Sequence, residues 1–180
     1  MASTIWENIP ELKTSAMLLA PTLAEHYKVL AGYFDPKLDK ILDVGQGDGT
    51  FSQLIPNSTG VDESSDLLNY DLSSFNTLHF SESIGYINPE VLERLISAPT
   101  IKKIILKDFM CDDKLDIKYF SFDVSTLKKI VLPLLTKYGY NYNIKEFMPF
   151  RDRWKLLLKK YNMTYEPYVT VRPVVVVANR

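Results

Sequence analysis

The sequence is poor in the features that would staple it, metallate it or plate it with charge. It holds one cysteine, Cys111, so no internal disulfide can form. That fits a reducing compartment, and a cytoplasmic location is expected. Neither of its two histidines has a metal-ligating neighbour at useful spacing, so no metal is expected. Lys and Arg total 21 against 22 Asp and Glu, a net charge of −1. No global field of the kind that coats nucleic acid or a membrane surface follows from that balance. Long apolar runs are missing too. The stretch Ala16–Ala20 is stopped by Pro21 and preceded by Glu7 and Glu11, which argues against a signal peptide and a membrane span. No repeat or low-complexity segment is visible.

What is present is enough for a core. Hydrophobic residues make up 46% of 180 residues, the size of one ordinary domain. The reading is a single domain over 1–180, with a helical cap at 1–35 and a sheet core from 38 onward. Leu19, Leu23, Tyr27 and Leu30 recur at helical steps within 11–33. Strands are expected at 40–44, 59–61, 77–80 and 101–106, and again at 140–147 and 168–178. Helices are expected near 50–54, from Pro89 to about 95, at 125–137 and at 151–161. Strands alternating with helices predict an α/β fold with a mostly parallel sheet flanked by helices. The last strand follows another strand directly in this order, which allows an antiparallel pair at one edge.

The segment "ILDVGQGDGTF" at 41–51 places a strand, a tight glycine turn and a helix in succession. Its spacing is G-x-G-x-G, so neither the dinucleotide fingerprint nor the phosphate loop is matched. Asp43 precedes the turn and Asp48 lies inside it. Two like charges about 4 Å apart repel by roughly 4 kcal/mol at an effective dielectric of 20. A pyrophosphate is therefore disfavoured there, and a ligand bearing an ammonium and a sulfonium is favoured. S-adenosylmethionine has both.

These residues carry a family resemblance. "ILDVGQGDGTF" resembles the first motif of class I S-adenosylmethionine-dependent methyltransferases. "TGVDESS" at 59–65 resembles their second motif, and "TLHFSESIGYI" at 77–87 is similar to the fourth-strand region of the small-molecule branch. The likeness covers about residues 25–110 and implies a Rossmann-like sheet. It also implies a cofactor site built from Asp43, Gly45, Gln46, Gly47, Asp62, Glu63, Asp71, Leu72 and Ser81. Asp62 would accept from the ribose hydroxyls, and Asp71 would contact the adenine amine. Glu82 and Tyr86 are the catalytic candidates, Glu82 as base or substrate anchor and Tyr86 as a lining of the methyl-transfer channel.

Bland alternatives stand beside these roles. Asp43 could simply pin the glycine turn, Asp48 could be a helix N-cap, Glu82 an exposed loop residue and Tyr86 a packed ring. His79, between Leu78 and Phe80, reads as structural. Lys107 and Asp108 are expected to end a strand. Together with Glu82 they would supply part of the tetrad used by some RNA 2′-O-methyltransferases, but Arg172-Pro173 stands where its last Glu is needed. The eight residues between Asp62 and Asp71 are too few for a helical crossover to a further strand. A more open cofactor site of modest affinity is expected. Asn/Asp-Pro-Pro-Tyr and Pro-Cys are both missing after the fourth-strand region, which argues against base and glutamine N-methylation and against cytosine C5 chemistry. The expected partner is a small-molecule substrate. The basic segment 151–160 keeps an RNA acceptor as the alternative, and a non-catalytic cofactor-binding or scaffold protein is a third reading.

Overall fold

The computed structural model describes residues 27–47, 49–62, 65–111, 126–147 and 171–180. Six strands form one sheet: β1 (Ile41–Val44), β2 (Ser58–Val61), β3 (Thr77–Ser81), β4 (Lys103–Cys111), β5 (Asn141–Glu146) and β6 (Val171–Asn179). Their spatial order is β2-β1-β3-β4-β6-β5. The strands β2, β1, β3 and β4 are mutually parallel, while β6 runs antiparallel to both β4 and β5. The mostly parallel α/β sheet with an antiparallel pair at one edge is therefore present. The order reverses direction at β1 and β3, which opens a crevice between their C-terminal tips.

Alternation sorts the two faces. Leu42, Val44, Leu78, Phe80, Ile104, Leu106, Val174 and Val176 point to one side. There they meet α2 (Pro89–Ser97) through Leu92, Leu95 and Ile96, and the segment 127–137 through Leu127, Val131 and Leu135. Ile41, Ile105 and Val175 point to the other side, against Leu30 and Phe34, against Phe51 of α1 (Thr50–Leu54) and against Phe147. Helix α2 opens as its sequence dictates. Pro89 occupies its first turn and the Asn88 side chain accepts from the Glu90 amide at 2.8 Å.

Three differences from the sequence reading have physical causes. The helix expected at 125–137 begins with a π turn, Leu127–Val131, before α3 (Leu132–Lys137). Pro133 has no N–H to donate, and its ring would crowd the Lys129 carbonyl in a regular α-helix. Strand β4 does not end at Leu106 but continues to Cys111, so Lys107 and Asp108 lie inside it. Parallel pairing with β3 stops at Ser81↔Lys107, but β6 partners β4 along its full length, from Lys103↔Asn179 to Cys111↔Val171. The strand expected at 168–178 is described from Val171 and runs one residue further, to Asn179, while 168–170 lie outside the described residues. Between Asp62 and Thr77 the described residues form turns and bends, with no strand or helix, as the short spacing requires. Of the N-terminal helix expected at 11–33, residues 27–31 are helical. Its earlier part, and the basic helix at 151–161, lie outside the described residues.

Tyr140 closes the main core. It is 5% exposed, with its hydroxyl 3.0 Å from the carbonyls of Ile96 and Ile101. The Arg180 guanidinium lies 4.7 Å over its ring. Burial pushes the phenol up to about 12, against a smaller opposing pull from Arg180.

Candidate functional site

The turn after β1 is built on three left-handed glycines: Gly45 (φ 77°), Gly47 (φ 56°) and Gly49 (φ 75°). Only glycine adopts that region cheaply, yet the three serve different ends. A Cβ on Gly45 would stand 2.5 Å from the Ser83 Cβ. Ser83 is buried and donates its hydroxyl to the Val44 carbonyl at 2.7 Å. Gly45 is thus required by packing across the crevice. A Cβ on Gly47 would meet nothing within 4 Å among the described residues, so this glycine marks the side of the turn that they leave open. Gly49 is the N-cap of α1. The cap therefore falls one residue after Asp48, which lies outside the described residues.

The turn has little to offer an anion. The amides of Gly45 and Gln46 both donate to the Val61 carbonyl, at 2.8 and 3.1 Å. Those groups are spent on tying β1 to β2. The Gln46 side chain folds over Gly60, where a Cβ would sit 1.9 Å from its Oε1. Helix α1 has only five residues and no acidic residue in its first turn.

A buried acidic side chain leads into this turn instead. Asp43 is 2% exposed, and its Oδ1 is 2.8 Å from Nδ1 of His79. The two residues are Cα partners in the parallel β1–β3 register. Asp43 Oδ2 and His79 Nε2 have no hydrogen-bond partner among the described residues. The fully buried imidazole stacks on Phe51 at 3.8 Å and 16°, with Phe34 edge-on at 5.6 Å. The pair is thus joined through one oxygen and one ring nitrogen, and the second polar atom of each group is left over.

The strand tips carry the remaining candidates. Asp62 is exposed directly after β2, and Ser81 is half-buried at the end of β3. Glu82 follows with φ 55°, a left-handed conformation that costs a non-glycine residue about 1–3 kcal/mol and is common at functional sites. Two contacts hold it there. Its amide donates to the Lys107 carbonyl at 2.8 Å, and its carboxylate pairs with the Lys107 ammonium. The Lys107 side chain is 3% exposed against 31% for Glu82, and its Nζ lies 5.7 Å from the Phe147 ring. Tyr86 ends the short 3₁₀ turn Ile84–Tyr86 and is 43% exposed, so it is not a packed core ring.

The adenine candidates divide. Asp71 is exposed and accepts from the Ser73 amide at 2.9 Å, which holds its carboxyl below the usual range. Leu72 is 5% exposed and packs in the main core cluster, so its side chain is covered by protein. Glu63 lies outside the described residues. His79, which the sequence reads as structural, is the residue that the fold sets against Asp43. Asp43 and His79 share one face of the neighbouring strands β1 and β3, as their pairing requires.

Among the described residues, no helix is long and apolar enough to cross a membrane. No group of three or more His, Cys, Asp or Glu among them could hold a metal ion.

Neither a protein-family model nor a curated protein matches the sequence. Solved structures do match in shape. Phosphoethanolamine N-methyltransferase 2 of Haemonchus contortus, in complex with phosphomonomethylethanolamine and S-adenosylhomocysteine, superposes with a TM-score of 0.56 at 13% identity. That match covers 86% of this chain and 52% of the other, so the chain spans about half the length of that enzyme. Geranyl diphosphate C-methyltransferase of Streptomyces coelicolor A3(2), with S-adenosylhomocysteine bound, gives 0.59 at 14% identity, covering 90% and 78%. A [4+2]-cyclase gives 0.55 at 12% identity, covering 87% and 80%. The sheet order, the glycine turn at its switch point and these superpositions agree: the chain has the fold of the class I S-adenosylmethionine-dependent methyltransferases.

Proposed function

We propose that this chain is an S-adenosylmethionine-dependent methyltransferase that acts on a small or medium-sized acceptor by direct displacement. The observation that carries the reading is the buried Asp43 carboxyl, one oxygen unpartnered, at the foot of a glycine turn whose outer face, at Gly47, is open. A fixed carboxylate under such a turn favours a cationic ligand above it. Two first amides already spent on Val61 disfavour an anionic one. The ammonium and sulfonium of the cofactor suit that charge. When bound, the cofactor supplies a methyl group already activated on sulfur. Bound S-adenosylhomocysteine in the Haemonchus and Streptomyces structures adds support through the shared fold.

The chain's own residues then have simple tasks. Asp43 sets the charge beneath the amino-acid end, and the backbone of Gly45–Gly47 cradles it. Asp62 accepts from the sugar hydroxyls. Asp71 contacts the base, on a side left open by the missing crossover unit. Glu82, anchored by Lys107 at the tip of β3, receives the acceptor's proton or orients its nucleophile. Tyr86 lines the approach, where its ring face attracts a sulfonium. Correct alignment of a nucleophile contributes roughly 7–11 kcal/mol, so no elaborate catalytic motif is needed. Residues 1–35 would cap this site within one domain spanning 1–180. The test is incubation with methyl-labelled cofactor and fractionated lysate, with product sorted into small molecule, RNA and protein. Label in the small-molecule fraction supports the reading, and label in RNA alone overturns the acceptor class.

A second reading, cofactor binding without methyl transfer, is favoured by the [4+2]-cyclase, a protein of this fold named for another reaction. Binding of S-adenosylhomocysteine with no label transferred to any fraction would select it.

A further inference from the structure

The Asp43 carboxyl has an unusual neighbour, and that neighbour has no task in the reading above. We propose that His79 is a positioning residue for the cofactor site, a reading that rests on the cofactor assignment just made. Its Nδ1–H binds Asp43 Oδ1 and keeps the carboxylate ionised and oriented beneath the turn without cancelling its charge.

The alternative is that His79 is filler, and the geometry argues against it. The ring is fully buried in an aromatic pocket formed by Phe51 and Phe34. A phenyl or aliphatic group would fill that pocket without burying a polar atom. The imidazole leaves Nε2 unsatisfied, at a cost of about 1–3 kcal/mol. What the fold gains is a donor for Asp43, whose other oxygen has none. A lysine or arginine in this place would supply the hydrogen bond together with a counter-charge, and the pair would be neutral. A neutral imidazole supplies the bond alone. It is also held rigidly. The Asp43↔His79 register fixes the backbones, and the stack on Phe51 fixes the ring plane. Phe51 belongs to the helix that follows the glycine turn, so the same ring braces the turn from below.

The experiment measures S-adenosylhomocysteine binding by calorimetry on the unmodified chain, His79→Phe and His79→Asn. Phe keeps the ring stack and removes the donor. Asn loses much of the stack but can donate from about the position of Nδ1. The expected result is a loss of about tenfold or more in affinity for His79→Phe, with His79→Asn within about threefold of the unmodified chain despite lower thermal stability. A structural role predicts the reverse order. A spectroscopic measurement needs no variant: long-range proton–nitrogen spectra should show the Nδ1-protonated neutral tautomer. Equal affinity for His79→Phe and the unmodified chain, or an Nε2-protonated tautomer, overturns the assignment alone. Absence of any binding by the unmodified chain overturns the cofactor reading and the assignment together.

Discussion

Gly45 and Ser83 touch across the crevice between β1 and β3. A single added methyl at position 45 would sit 2.5 Å from the Ser83 Cβ. This contact, together with the Ser83 hydroxyl bond to Val44, joins the glycine turn to the loop that carries Glu82 and Tyr86. The turn and the catalytic candidates therefore form one packed unit.

Gly45→Ala is expected to destabilise the chain by about 2–5 kcal/mol, from left-handed strain and the steric clash. Gly47→Ala carries strain alone, about 1–2 kcal/mol. It should nevertheless be the more damaging of the two for S-adenosylhomocysteine binding per unit of stability lost, because its methyl enters the open side of the turn. Urea denaturation and calorimetry on both variants decide this. A milder stability loss for Gly45→Ala than for Gly47→Ala would contradict the packing argument.

Gly60→Ala should be rescued by a change elsewhere. The new methyl would collide with the Gln46 side chain, at 1.9 Å from Oε1 and 2.8 Å from its Cβ. Gln46→Ala removes most of the obstruction. A double-mutant cycle should show favourable coupling of at least about 0.5 kcal/mol, and additive effects would mean that Gln46 does not pack on β2.

Glu82 and Lys107 should respond unequally to removal of their partner. Glu82→Gln leaves the ammonium, 3% exposed, without this carboxylate. Lys107→Met leaves a carboxylate that is 31% exposed and can be hydrated. Lys107 keeps a further interaction, so Glu82→Gln is expected to cost at most about 3 kcal/mol, and Lys107→Met less. Chemical denaturation of the two variants measures the difference.

Tyr140 makes stability depend on alkaline pH. Its folded-state value of about 12 lies above the ordinary 10. The unfolded chain therefore releases this proton first as pH rises, and the stability it contributes is full below pH 10 and falls between about 10 and 12. The stability gap between the unmodified chain and Tyr140→Phe should be widest near pH 9 and shrink by pH 11.5. A gap that stays constant in melting curves over that range would rule out the buried phenol as the cause.

The first part of the candidate site was legible as a strand, a turn and a helix because it is local. "ILDVGQGDGTF" contains a strand, the turn and the start of α1 in eleven successive residues, and the step from Asp43 to Asp62 spans one strand–helix–strand unit. Pro89 announced α2 for the same reason. Asp43 and His79 were not connected because their contact depends on the β1–β3 register, which no local signal fixes. The end of β4 was misjudged since its extension is set by β6, some seventy positions away. The π turn shows the opposite failure, for Pro133 was visible but its effect on the preceding turn was not weighed. Leu72 enters the candidate site through the family resemblance, and its side chain lies in the core, which leaves its backbone as the part that can face a base.

The strand that comes last in the described order, β6, does not come last in the sheet. It stands between β4 and β5, and β5 pairs with nothing else in the sheet. During synthesis, β1, β2 and β3 can zip together early, but β5 must wait for a neighbour made after it. Until then β4 presents a bare edge of nine residues to the cell. Assembly of this half should thus be the slow step, and the stage at which a nascent chain most needs a chaperone.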